Sequence, residues 1–353
     1  MARVAVQLTN FTGGELSPRL DGRNDLAKYA SGCSTLENLV IYPHGSAARR
    51  PGTNFVAAVK DSTKKTRLIP FEFSTTQTYM LEFGDQYIRF YKDNGQILSG
   101  GSAYEISTPY LEAELFDLKF AQSADVMYIC HPNHEVEKLS RTGHTSWSLT
   151  DVDFTKGPFL DPNTTATTLT PSSASTGSRT ITASAVTGIN GGSGFLATDV
   201  GRQIHFNDGY GVITARASTT SITVNVTTAF ANTNAITNWY LGAFSDTTGH
   251  PSCVTFFEQR LVFAATLNNP QTVYFSKSGD YENMDANLGG TIADDDAIIY
   301  TIASNQVNAI RFMTATRTLI IGTAEIGRAH VWTPVTVNNI VCRLLLEKKK
   351  HRR

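Results

Sequence analysis

Two histidines three residues apart, His131-Pro132-Asn133-His134, are the nearest approach in this sequence to a metal pair. Imidazoles can share an ion when a third ligand joins them, but no HExxH pattern surrounds this pair and no third ligand lies nearby in sequence. The segment therefore reads as a turn after a strand. Asp294-Asp295-Asp296 could attract a cation, yet it lacks the ligand spacing of a calcium loop and reads as a solvated turn. The four cysteines, Cys33, Cys130, Cys253 and Cys342, are 97, 123 and 89 residues apart, which suggests neither a CxxC site nor a stapled small fold. There is no GxxxxGK[ST] phosphate loop and no GxSxG elbow. No catalytic residue, metal ligand or cofactor is assigned on this basis, and a non-enzymatic protein is expected.

Positive charge gathers early, at Arg19, Arg23, Arg49 and Arg50. These arginines could dock an acidic partner or a phosphate backbone, or they could pair locally with Glu15, Asp21, Asp25 and Glu37. Both readings stay open. Phe206, Tyr210, Trp239 and Tyr240 supply flat apolar faces that would suit sugar rings, which makes them candidate glycan contacts. Most of the 19 Phe and 13 Tyr fall inside strand-like runs and read as core and cross-strand pairs.

The elements that must carry these residues follow from composition and periodicity. The 353 residues are 41% hydrophobic and 17% charged, with 27 Gly and 12 Pro, which excludes disordered and collagenous classes. No run of about 18 apolar residues could span a membrane as a helix, and the opening MARVAVQLTNFTGG lacks the apolar stretch of a signal peptide. Residues 1–66 are rich in turn formers and read as an extended docking segment. Within it, apolar residues at spacings of 3 or 4 over 24–39 predict a short helix capped by Asn24, with Gly32 weakening it.

From Thr66 the pattern turns to short apolar runs that repeat. YMLEF at 79–83, VMYIC at 126–130, LVFAA at 261–265 and TLIIG at 318–322 align with one another. Each is preceded by a similar run: RLIPFEF at 67–73, FDLKFA at 116–121, SCVTFF at 252–257 and NAIRFM at 308–313. A third run closing on a turn glycine follows in the first three units, at Gly95, Gly143 and Gly279. Met80 and Met127 are 47 residues apart, and Val262 and Leu319 are 57 apart. The longer gap between Met127 and Val262 is filled by a Thr/Ser-rich segment at 162–248, whose alternation predicts five to seven short strands of a small sandwich or barrel. Units of this size made of three or four strands are expected of β-propeller blades, which bury both faces only by stacking; consecutive hairpins of a sandwich give similar spacing. The expected fold is all-β, an incomplete propeller-like body with blades at 67–161 and 249–324 and an inserted β domain at 162–248.

From Glu325 onward the sequence changes register. IGRAHV and VCRLLLEKKK back-translate, in one frame, to a common sequencing adapter and its terminal A run, so 325–353 resemble translated adapter and are expected to be a non-native tail. Without that tail, residues 1–324 carry 23 basic and 29 acidic side chains, a balance of −6 in place of −1. Truncation there would leave apolar blade faces exposed near residues 308–324.

The segment FTGGELSPRLDGRNDLAKYASGCSTLENLVIYPHGSAARRPGTNF, residues 11–55, resembles the opening of the tail nozzle family of short-tailed bacteriophages, also called tail tubular protein B. RLIPFEFSTTQTYMLEFGDQYIRFYKDNG, FAQSADVMYICHPNHEVEKLSRTG, FFEQRLVFAATLNNPQTVYFSKSGDYENM and DDDAIIYTIASNQVNAIRF are similar to that family in the same order. Gly13, Gly14, Glu15, Ser17, Pro18, Gly22 and Arg23, with Arg49, Arg50, Pro51, Gly52 and Thr53, match its N-terminal motif. The resemblance implies a virion protein assembled in the host cytoplasm. Its partners would be further copies in a ring, expected to be a hexamer, other tail proteins, DNA passing through the lumen without sequence-specific binding, and through the inserted domain a host surface glycan. A net acidic conduit would let DNA slide, because it offers few phosphate contacts to break. Ser140-Arg141-Thr142-Gly143-His144-Thr145-Ser146-Trp147 also resembles the turn motif of sialidase propellers, with Thr142 where Asp is expected; that motif is structural.

Overall fold

A computed structural model of the chain describes residues 8–288, 290–303 and 307–324, and the backbone of 329–332. The fold is all-β. Helical turns among these residues are confined to three-residue 3-10 segments, and none is long and apolar enough to cross a membrane. Two compact units are present, Met1–Ala57 and Ala58–Arg353.

In the first unit, β1 (Gly14–Glu15) pairs in parallel with β2 (Gly32–Cys33). β3 (Leu39–Ile41) and β4 (Ala47–Arg49) form an antiparallel hairpin. The helix expected over 24–39 does not form. A 3-10 turn at Tyr29–Ser31 leads into Gly32, whose backbone is extended (φ −106°, ψ 170°) and lies so close to Leu16 that a Cβ there would sit 2.5 Å from its side chain. Glycine is a poor helix residue, and tertiary contact here selects the extended state. No hydrophobic side chain among the described residues of this unit is buried.

The second unit opens with β5 (Arg67–Glu72), β6 (Thr78–Gly84), β7 (Tyr87–Lys92) and β8 (Gly95–Gln96). A small hairpin of β9 (Leu98–Ser99) and β10 (Ser102–Ala103) then leads to β11 (Glu105–Ser107). These give a first sheet ordered β11-β7-β6-β5, with β8 paired to β7. β12 (Lys119–Ser123), β13 (Val126–His131), β14 (His134–Gly143) and β15 (Ser146–Asp151) form the second sheet, an up-and-down meander.

Then comes a six-stranded sheet with the order β16-β17-β20-β19-β18-β21. Its strands are β16 (Leu169–Pro171), β17 (Gly177–Ala183), β18 (Gln203–Phe206), β19 (Gly209–Ser218), β20 (Ser221–Thr228) and β21 (Trp239–Leu241). Reciprocal backbone bonds between Leu169 of β16 and Ile236, just before β21, draw the two ends of this sheet towards each other, so it curls around one core as a partial barrel. The chain enters and leaves it side by side: Leu160 N–H donates to Leu241 O and Ala243 N–H to Pro158 O.

The body resumes with its third sheet, the four-stranded meander of β22 (Cys253–Phe257), β23 (Arg260–Ala264), β24 (Thr272–Phe275) and β25 (Ile298–Thr301). β26 (Ile310–Ala315), β27 (Leu319–Thr323) and β28 (Ala329–Trp332) form the fourth sheet. Of the predicted non-native tail, 325–353, only the β28 backbone falls among the described residues; the remainder lies outside them.

Alternation along the strands explains why these sheets stack. Met127 and Ile129 of β13 point into a cluster with Ile69, Phe71 and Leu81 of the first sheet, while Tyr128 and Cys130 point the other way, against Val254, Leu261 and Phe263 of the third. Val262 and Ala264 then face Ile310, Leu319 and Ile321 of the fourth. Each middle sheet buries both faces, so β13 and β23 carry apolar residues at nearly every position. The first strands of consecutive sheets, β12, β22 and β26, also run next to one another. This is the blade stacking of a propeller-like body. On the fourth sheet Phe312 is 52% exposed, and Val307 before it is 76% exposed.

Candidate functional site

The N-terminal motif is built by backbone geometry. A Cβ on Gly13 would lie 2.7 Å from Lys28 O and 2.9 Å from Ser31 O, so glycine is needed for the close approach that lets β1 pair with β2. Gly14 and Gly22 have φ of +70° and +80°. Glu15 reaches across to accept from the Leu36 N–H, and Ser17 accepts from the Arg19 N–H at the start of a 3-10 turn whose first residue is Pro18. Arg23 grips Asp25 through two bonds of 2.7 and 2.6 Å, and Arg50 donates to Asn38 Oδ1 at 2.6 Å. Local pairing thus occupies Arg23. Arg49 ends β4, and Pro51, Gly52 and Thr53 follow as an exposed extended stretch. The unit also exposes Leu39, Val40, Tyr42 and Phe55, the last at 80%.

The four aromatic residues of the inserted domain separate. Phe206 and Trp239 belong to the barrel core, and the Trp239 indole donates to Thr167 O at 2.9 Å. Their faces are covered, which corrects their assignment as sugar platforms. Tyr210 and Tyr240 lie on the outer side, each opposite His205 across a strand pair. There His205 and Tyr240 also pack against Phe159.

Trp147 of the sialidase-like turn packs on Phe71, Tyr79 and Phe90 in the core between the first two sheets, with its indole donating to His144 O. Asp294-Asp295-Asp296 is more than a solvated turn. The carbonyls of Asp294 and Asp296 accept from Arg260, and the buried Asp296 carboxylate pairs with Lys277 at 2.9 Å.

A cleft of about 270 Å³ opens where the barrel stem meets the second sheet, lined by Glu135, Asp151, Asp153 and His250 among others. Burial, then the Asp151 charge, push the Glu135 carboxyl above its ordinary range.

The histidine pair acquires what the sequence did not show. His131 ends β13 and His134 begins β14, facing each other across the register with ring centroids 5.1 Å apart. The connection between β11 and β12 brings Glu114 to them: its Oε2 lies 2.9 Å from His134 Nε2, and one donor atom from each of the three residues falls within 4.8 Å of the others. Glu114 is 17 residues before His131, in a loop with no periodicity to mark it, and only the packing of that loop on the second sheet joins them. Burial works against the Glu114 carboxylate, but the Leu111 N–H and His134 outweigh it and hold its pKa below the ordinary value. Burial lowers the His131 pKa, favouring the neutral ring.

Behind His134 the Tyr110 ring packs edge-on at 5.3 Å. Glu137 is 7% exposed, and its Oε2 has no hydrogen-bond partner of good geometry. Burial, opposed by the nearby Tyr110 hydroxyl and His134 and reinforced by Asp151, raises its pKa to about 7.

No family model and no curated protein matches this chain.

Proposed function

We propose that this protein is a virion structural protein, a subunit of the tail nozzle of a short-tailed bacteriophage, assembling with copies of itself as a hexameric ring around the path of ejected DNA. The observation that carries the reading is the succession of antiparallel sheets stacked face to face, interrupted by a barrel on a two-stranded stem, in the order of the sequence blocks that resemble that family. The N-terminal unit supports it as a docking element. It has no buried hydrophobic side chain among its described residues, it exposes Phe55 and Tyr42, and it holds the Gly13–Arg23 motif in a fixed geometry suited to a neighbouring surface. The balance of −6 over residues 1–324 favours a conduit over a DNA clamp.

In this reading the protein performs no catalysis, and its other partners are further tail proteins and DNA in transit. The adhesin alternative keeps only Tyr210 and Tyr240 as accessible rings, which weakens it. Mass spectrometry and electron microscopy of purified tails from the parent phage test the proposal: the polypeptide is expected in a ring at the DNA exit, and its absence from purified tails defeats the reading.

A further inference from the structure

The geometry points to a binding site for a divalent transition metal of the zinc type, formed by Glu114, His131 and His134, that ties the β11–β12 connection to the β13–β14 hairpin. Two imidazoles and a carboxylate are a donor set that zinc accepts, with a fourth position left for water. Zn–N and Zn–O bonds of about 2.0–2.1 Å place tetrahedral ligands roughly 3.3 Å apart. One pair here is already at 2.9 Å and all three donors fall within 4.8 Å, so small side-chain adjustments complete the set. His131 is anchored at the end of a core strand and is 2% exposed, while the Glu114 and His134 side chains are 18% and 22% exposed, which leaves an entry path. The His131 Nδ1 otherwise accepts a long contact of 3.3 Å from the Asn133 N–H.

A separate observation favours a cation at this place. Glu137 is 7% exposed with one carboxylate oxygen unpartnered and lies within electrostatic reach of His134, against which the Tyr110 ring packs edge-on. A divalent ion bound here would add positive charge near this carboxylate. The consequence is structural: Glu114 comes from the segment that follows the first sheet and the histidines from the second, so the ion would cross-link two consecutive blades.

The test uses the full chain and zinc alone. Competition with a chromogenic chelator is expected to show one tight Zn²⁺ per chain, and cobalt substitution is expected to give the visible bands of a four- or five-coordinate site. Glu114→Gln and His134→Gln, at partly exposed positions, should leave the metal-free chain folded with a cooperative melting curve while weakening zinc binding by more than the 10–100-fold that outer-shell changes cost. His131→Ala should abolish it, but its buried position makes it the secondary variant. Zinc affinity unchanged in Glu114→Gln and His134→Gln, or no binding by a wild-type chain whose melting shows it folded, overturns the site.

Discussion

Glu137 offers the sharpest test of the physical reading. It sits in the middle of the second sheet, opposite Ile129 on one side and Asp151 on the other, and its carboxyl is buried against Tyr110. Its pKa rises from an ordinary 4.5 to about 7 in the fold. The folded chain therefore holds this proton more tightly than the unfolded chain, and stability falls as pH rises from about 4.5 towards 7. Above that window the fold carries an ionised buried carboxylate, and at about 1.4 kcal/mol per pH unit the interval is worth about 3 kcal/mol. Glu137→Gln keeps the shape and a carbonyl oxygen near the Tyr110 hydroxyl while removing the charge. Relative to the wild type, it is expected to stabilise by about 1 kcal/mol at pH 5 and by about 3 kcal/mol at pH 8.5. Urea denaturation at both pH values, followed by the fluorescence of Trp147 in the adjoining cluster, measures this directly. A gain that is equal at the two pH values, or a loss at pH 8.5, refutes the reasoning.

Other consequences are as concrete. Trp239→Ala removes a barrel-core side chain and its bond to Thr167, so a loss of about 3–5 kcal/mol in barrel stability is expected by denaturation, in place of any selective loss of sugar binding. Asp199 and Arg202 form a fully buried pair at 2.8 Å whose remaining bonds go to Asn190, the Leu196 N–H and Gly242 O; Asp199→Ala strands the guanidinium and should cost about 3–5 kcal/mol in the same assay. Gly13→Ala drives a methyl into Lys28 O and Ser31 O, and should cost about 1–3 kcal/mol locally, read as faster proteolytic cutting before residue 58 with the body left intact.

The body was legible because its strands carry their own signature. VMYIC and LVFAA are apolar on both alternating faces, and a strand of that kind must be covered twice, which stacking of sheets provides, whereas Leu68 and Met80 of the first sheet stay exposed on its uncovered face. An inserted β segment was legible as a Thr/Ser-rich change in composition. The 24–39 segment was misread because a spacing of 3 or 4 is a local pattern, and the approach of Gly32 to Leu16 is a tertiary contact. Period-2 alternation divides a strand into two faces without saying which face is covered, so Phe206 and Trp239 looked as available as Tyr210 and Tyr240.

What the sequence by itself determined is thus the all-β class, the repeating sheets and the place of the insertion, since each is encoded within a few consecutive residues. Only the tertiary structure decided the chemistry. Glu114 meets His131 and His134, Asp199 meets Arg202 inside the barrel, and Glu137 loses its water. In each case the deciding quantity is burial or a contact set by packing between segments, and neither leaves a mark on the local order of residues.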